Sequence, residues 1–247
     1  MIDKSSKQMI MRFIGLQDLT KIETKGMRNL NVSCVGSHMW GMNNEQSDID
    51  LVMIYIASTR AILRGENFPS TVRQQIAPRN GEIYDTLGWE IGHLIDQLIK
   101  GNINAIWYAT SPLVIKPSGV QEELSDLVQS NLCRQTYHSI KGMAESQIKS
   151  DETPEKKPKI PGKGYRTALR TINFGIKLLS EGRICFAPVL HAPSSEEVME
   201  RMEQLEEAYL KSPLPDRPDE EAFRELLLKL RMEEMTEKKR DQKLKIS

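Results

Sequence analysis

The sequence predicts an α/β protein: a small mixed sheet with flanking helices over residues 1–115, followed by a helical region over 116–247. Three observations predict it. Two apolar runs, 30–35 and 51–56, read as buried strands. A third short run, 81–88, follows them and reads as a third strand. Beyond residue 116 the apolar positions recur at helical spacing between capping and stop signals. At 247 residues the chain can bury a substantial core, in one large domain or two small ones.

Taken in order, residues 3–25 carry Met9, Ile10, Phe13, Ile14 and Leu16 at roughly helical spacing, which predicts a helix covering one face of the sheet. After the first strand, Gly36 and Ser37 open a turn. Its backbone N–H groups and the Ser37 hydroxyl suit a phosphate, and Gly36 permits close approach. The second strand starts at Asp48-Ile49-Asp50. Alternate side chains on a strand share a face, which places Asp48 and Asp50 side by side. Two such carboxylates repel, and a divalent cation of the magnesium or manganese type offsets that cost. Asp-x-Asp also occurs at plain solvated strand starts; the preceding strand and Gly-Ser turn favour the metal site.

Residues 58–80 read as a solvated helix and loop. Their Arg60, Arg64, Arg73 and Arg79 are within conceivable reach of a triphosphate or an RNA backbone, but a solvated role is the simpler one. Asp85 falls inside the third strand, where aspartate is disfavoured and needs a reason. Residues 89–100 read as a helix with Ile91, Leu94, Ile95, Leu98 and Ile99 on its apolar face and Gly101 as its stop. Glu90 then lies in the first helical turn, where a carboxylate complements the dipole. Ile106 and Trp107 read as core.

Helices are predicted over 121–130 and 135–149. The charged stretch 150–164, with Pro154, Pro158, Pro161, Gly162 and Gly164, reads as a loop or mobile segment. A helix follows over 165–181, with Lys163, Arg166 and Arg170 at its start. Arg166 and Arg170 share a face. Lys163 and Arg170 either reach nucleotide phosphates or line a face in water. Ser194 to Glu197 form a capping box that opens a helix to about 211. The Pro-rich 212–219 makes a rigid turn, and a last helix starts near Glu220. From Arg231 onward the sequence is almost wholly charged, which predicts a frayed end.

Composition narrows the function classes. Lysine plus arginine and aspartate plus glutamate are equal at 34 each, so net charge provides no general grip on nucleic acid. Three separated cysteines argue against a disulfide scaffold or a zinc site and fit a reducing compartment. No apolar run reaches membrane-spanning length, and no secretion signal is visible. A cytoplasmic protein without membrane contact is expected. Ser37-His38 lacks a nucleophile-elbow pattern, and the four histidines have no metal-ligand spacing.

Gly36-Ser37, a gap of ten residues, then Asp48-Ile49-Asp50-Leu51 resembles the signature of the DNA polymerase beta superfamily of nucleotidyltransferases. The fuller Gly-Ser-x-x-Trp-Gly and Ser-Asp-x-Asp pattern is similar to its branch associated with RNA ligases. Gly88-Trp-Glu-Ile, the Gly101-Asn102 turn, Ser111-Pro112 and the Pro-rich step at 212–219 extend the resemblance over about 30–230. It implies that residues 1–115 form the catalytic domain, that 116–247 form a helical domain, and that the site lies between them. It implies transfer of a nucleoside monophosphate from an NTP to a hydroxyl, with release of pyrophosphate; an RNA end is the favoured acceptor, and a protein side chain or a small molecule stays open. Asp48, Asp50 and Asp85 would hold Mg²⁺ or Mn²⁺ and carry catalysis, Asp85 being preferred to Glu90 as the third carboxylate. Gly36, Ser37, Lys163 and Arg170 would bind the nucleotide. The branch's second conserved block has a histidine where this chain has Thr167, so no role is carried over there. A non-catalytic nucleotide- or RNA-binding module and an antitoxin-like regulatory protein are the alternatives.

Overall fold

The computed structural model describes residues 27–44, 47–76, 84–116, 118–153 and 162–244. The expected helix at 3–25, most of the 150–164 stretch and Arg79 lie outside the described residues.

Every described strand lies between residues 28 and 116. They are β1 (Arg28–Cys34), β2 (Ile49–Ile56), β3 (Thr71–Ile76), β4 (Tyr84–Glu90) and β5 (Val114–Lys116). They form one sheet in the order β3-β4-β2-β1-β5. β2 and β4 pair in parallel, while β1–β2, β1–β5 and β3–β4 are antiparallel. The sheet is therefore mixed, as predicted, and the chain is an α/β protein.

Two strands were not expected. β3 falls in the stretch read as helix and loop, of whose described residues only the short α2 (Thr59–Leu63) is helical. It reads Thr-Val-Arg-Gln-Gln-Ile and is the edge strand beyond β4, with little apolar alternation to betray it. β5 has three residues, too few to carry a pattern.

A further correction concerns residues 89 and 90. The third strand runs on to Glu90, where Trp89 pairs with Ile54 and Glu90 with Tyr55, and the helix starts only at Ile91. Trp89 fits the apolar stripe of the helix that follows, which hid the boundary. That helix, α3 (Ile91–Ile99), turns at Gly101 into α4 (Ile103–Thr110), capped by Asn102, whose side chain accepts from Asn104 N at 2.9 Å. Ser111 stops α4 and donates to the Cys34 carbonyl at 2.7 Å, tying it to the end of β1. The turn holding α1 (Gly36–Met39) lies between β1 and β2.

Beyond β5 the regular elements among the described residues are helices: α5 (Gly119–Ser130), α6 (Thr136–Glu152), α7 (Lys163–Glu181), α8 (Ser195–Lys211) and α9 (Glu220–Leu244). α6 takes in residues 150–152, which were expected to be loop. The capping box is present, with Glu197 N donating to Ser194 Oγ at 3.1 Å. One buried apolar cluster runs from Ile54 and Ile56 through Leu94 and Ile106 to Ile140, Ile172, Leu205 and Leu230. The last helix runs to Leu244, and both Arg231 and Glu234 turn inward.

Candidate active site

The parallel pairing of β2 with β4 determines where the acids go. Both strands start at the same end, and the register sets Asp50 beside Asp85, Val52 beside Leu87 and Ile54 beside Trp89. Asp50 and Asp85 therefore share the sheet face that packs under the helices. Asp48 does not lie within the strand as expected. It is exposed, one residue ahead of β2, after a turn in which Asn44 N donates to Ser47 Oγ at 2.8 Å. Asp48 still bears on Asp50. Burial first, then the charges of Asp48 and Asp85, push the Asp50 carboxyl above its ordinary range, and His38 and Lys163 pull it back. No ion pair compensates Asp50 or Asp85 among the described residues.

Gly36 is required twice over. Its φ is +64°, and a Cβ built there would lie 2.0 Å from Asp50 Oδ2. The main chain leaving β1 thus runs against the carboxylate, held there by Val35 N donating to the Asp50 carbonyl at 2.9 Å. Ser37 is half-buried in the same turn but does not border the cleft described next. His38, read as structural or surface, is buried beside the Asp50 charge, and burial pushes its pKa down.

These groups open into a cleft of about 330 Å³. Gly36, Asp50 and Asp85 form one side, and Arg73 of β3, Asn104, Trp107 and Tyr108 of α4, and Arg170 of α7 form the others. Arg170 lies over the Trp40 ring, 4.7 Å from its centroid. Burial lowers its pKa to about 10, so it stays charged at neutral pH, and among the described residues it has no acidic partner. Two contacts place α7. A Cβ on Gly164 would lie 2.4 Å from the Gln147 carbonyl, so the first turn abuts α6, and Asp151 Oδ2 accepts from Tyr165 N at 2.8 Å. Lys163, in that turn, is exposed and outside the lining, yet its charge reaches Asp50. Arg73 lies across from Leu87 on the acidic face and borders the cleft, whereas Arg60 is exposed on α2, away from it.

Glu90 is elsewhere. Five residues after Asp85 on β4, it points to the opposite face. It accepts from Gly92 N at 2.7 Å and Ala57 N at 3.1 Å and pairs with Arg231 at 2.8 Å. It caps α3 and anchors α9.

Asn104, Trp107 and Tyr108 were not picked out as site residues. Their only sequence signal is the i, i+3, i+4 spacing that puts them on one helix face. Burial, then the Asp50 charge, push the Tyr108 hydroxyl up in pKa, which marks its closeness to the acids. The donor set is one of hard carboxylate oxygens, and its chemistry fits Mg²⁺ or Mn²⁺. Among the described residues no three acidic, histidine or cysteine side chains already converge tightly enough to enclose an ion.

Over residues 11–245 the sequence matches the RNA repair pathway DNA polymerase beta family. The chain belongs to that family. A curated relative, the uncharacterized protein MJ0002 of Methanocaldococcus jannaschii, is 28% identical over 109 residues, 44% of this chain. The matched part spans 44% of that relative's length. A crystal structure of a nucleotidyltransferase-like protein from Exiguobacterium sibiricum aligns with 94% of this chain and 73% of its own, at 9% identity and a TM-score of 0.31. A likeness that faint decides nothing about the site.

Proposed function

We propose that the protein transfers a nucleoside monophosphate from an NTP to a hydroxyl, an RNA end being the favoured acceptor, and releases pyrophosphate. One observation carries this reading. Opposite charges line the same cleft without pairing, Asp50 and Asp85 on the sheet and Arg170 on the helical wall. Unpaired charges in a partly dry cleft cost free energy, and a ligand that is anionic along its phosphates and brings a cation satisfies both signs at once. A metal–triphosphate is such a ligand. The RNA end is favoured by the family's association with RNA repair.

Asp48, Asp50 and Asp85 would hold the divalent ion. When bound, that ion neutralises charge on the attacking and leaving oxygens. Arg170, fixed over Trp40, holds the β- and γ-phosphates in place, and Lys163 adds its charge from the first turn of α7. Asp85 accepts the proton of the attacking hydroxyl. The freed oxygen bonds to the α-phosphorus as the bond to the bridging oxygen breaks, and pyrophosphate leaves with that electron pair. The Gly36 backbone limits sideways movement of the Asp50 carboxylate, so the acceleration rests on positioning and electrostatics.

The test is incubation of the full chain with each α-labelled NTP, Mg²⁺ or Mn²⁺, and RNAs with defined hydroxyl ends alongside a cell extract. Label is expected on an RNA end, with stoichiometric pyrophosphate. Label on protein would move the acceptor class. Absence of NTP binding and turnover under every condition would overturn the reading.

A further inference from the structure

Among the described residues that border the cleft, three buried polar atoms have no hydrogen-bond partner: Arg170 Nε, Thr86 Oγ1 and Trp107 Nε1. Trp107 is the informative one. Its side chain is 5% exposed yet borders the cleft, and the indole N–H, its sole polar group, can only donate. A buried donor left unpaired costs free energy that a phenylalanine in the same place would avoid. Trp107 and Arg170 also share a neighbour. The Trp40 ring is met edge-on by Trp107, with centroids 5.2 Å apart, and is covered by Arg170 at 4.7 Å. Phe174, one turn beyond Arg170, packs on Trp107 as well, at 5.9 Å. Two buried donors without acceptors are thus held around one aromatic ring, in side chains that border one cleft.

We infer that Trp107 is a phosphate-binding residue: its indole N–H donates to an oxygen of the departing pyrophosphate beside Arg170. This rests on the nucleotidyl-transfer reading and adds a neutral donor to it. The arrangement has a chemical logic. Arg170 alone would bind any anion, whereas a fixed N–H beside it selects an acceptor at a defined position and adds no further positive charge that would retain the product.

The experiment compares wild type with Trp107→Phe, which keeps an aromatic ring against Trp40 and Phe174 and removes the N–H. Binding of inorganic pyrophosphate and of a nucleoside is measured by calorimetry. The three indole N–H resonances, from Trp40, Trp89 and Trp107, are followed by ¹⁵N NMR. Pyrophosphate affinity is expected to fall about tenfold in the variant while nucleoside affinity stays unchanged. In wild type the resonance missing from the variant is expected to move downfield on adding pyrophosphate. Equal pyrophosphate affinity in the two proteins, or an unmoved Trp107 resonance, overturns the assignment and leaves nucleotidyl transfer standing. Equal loss for pyrophosphate and nucleoside overturns it too, because the donor would then not be reading phosphate. Failure of wild type to bind either pyrophosphate or any NTP overturns both.

Discussion

β4 carries two acidic residues five positions apart, and the protein treats them in opposite ways. Glu90, at the end of the strand, is surrounded by donors. Two backbone N–H groups and Arg231 satisfy its carboxylate, and nearby Glu234 accepts from Thr59 N at 3.0 Å. Asp85, at the start, faces Asp50, and neither forms an ion pair among the described residues; burial first, then the charges of Asp48 and Asp85, raise the Asp50 pKa. The first arrangement spends its charge on holding α9 against the sheet. The second keeps its charge available. A charged residue is structural where the protein supplies its partner and functional where the partner must arrive from outside.

The sharpest way to break this comparison is to neutralise the unpartnered acid. Asp85→Asn is expected to lower transfer at least ~10³-fold while leaving NTP binding nearly intact, because the lost interaction belongs to the transition state. Its thermal midpoint should stay level or rise slightly, since no native partner is lost. Turnover within tenfold of wild type would remove Asp85 from catalysis.

Glu90→Gln should show the inverse pattern. Arg231, at 16% side-chain exposure, would be left without its counter-charge, and about 3 kcal/mol of stability should go with it. Activity per folded molecule should remain. Glu90→Leu combined with Arg231→Met should recover much of the loss in a denaturation midpoint. A catalytic defect in folded Glu90→Gln would make the two acids functionally alike.

The smallest effect sharpens the contrast through pH. The folded Asp50 pKa lies above its unfolded value, so the native state binds the proton more tightly. Stability contributed by that group is therefore present at low pH and lost as pH rises through the window just above the ordinary carboxylate range. In chelator, wild type should gain on Asp50→Asn as pH falls from 7.5 to 5, on the order of a few tenths of a kcal/mol after solvent screening. A denaturation-midpoint difference that stays constant with pH would mean the acids are not in conflict.

The unequal legibility of these regions in the sequence has physical causes. Gly36, Asp50 and Asp85 could be picked out because each residue type is costly where it stands, and cost leaves a mark in the pattern. Glu90 could be weighed against Asp85 for the same reason, although its partner could not be found. Arg231 lies in a run so rich in charge that nothing distinguishes it from its solvated neighbours, and only the fold brings it to Glu90. β3 was missed because an edge strand can be polar on both faces. The α4 wall was missed because Trp107 is at once a core side chain and a cleft side chain, and periodicity reports only the first.

The contact between Thr59 and Glu234 joins residues 175 positions apart in the chain. At ordinary elongation rates the ribosome needs roughly 10–35 s to cover that span. The strands of the sheet are all made long before the helix that neutralises Glu90 exists. Until α9 emerges, Glu90 must stay hydrated, and the end of β4 cannot settle into its final burial. Completion of the fold is thus deferred until α9 has been made, and a nascent chain halted before Arg231 would hold its sheet open at the end opposite the cleft.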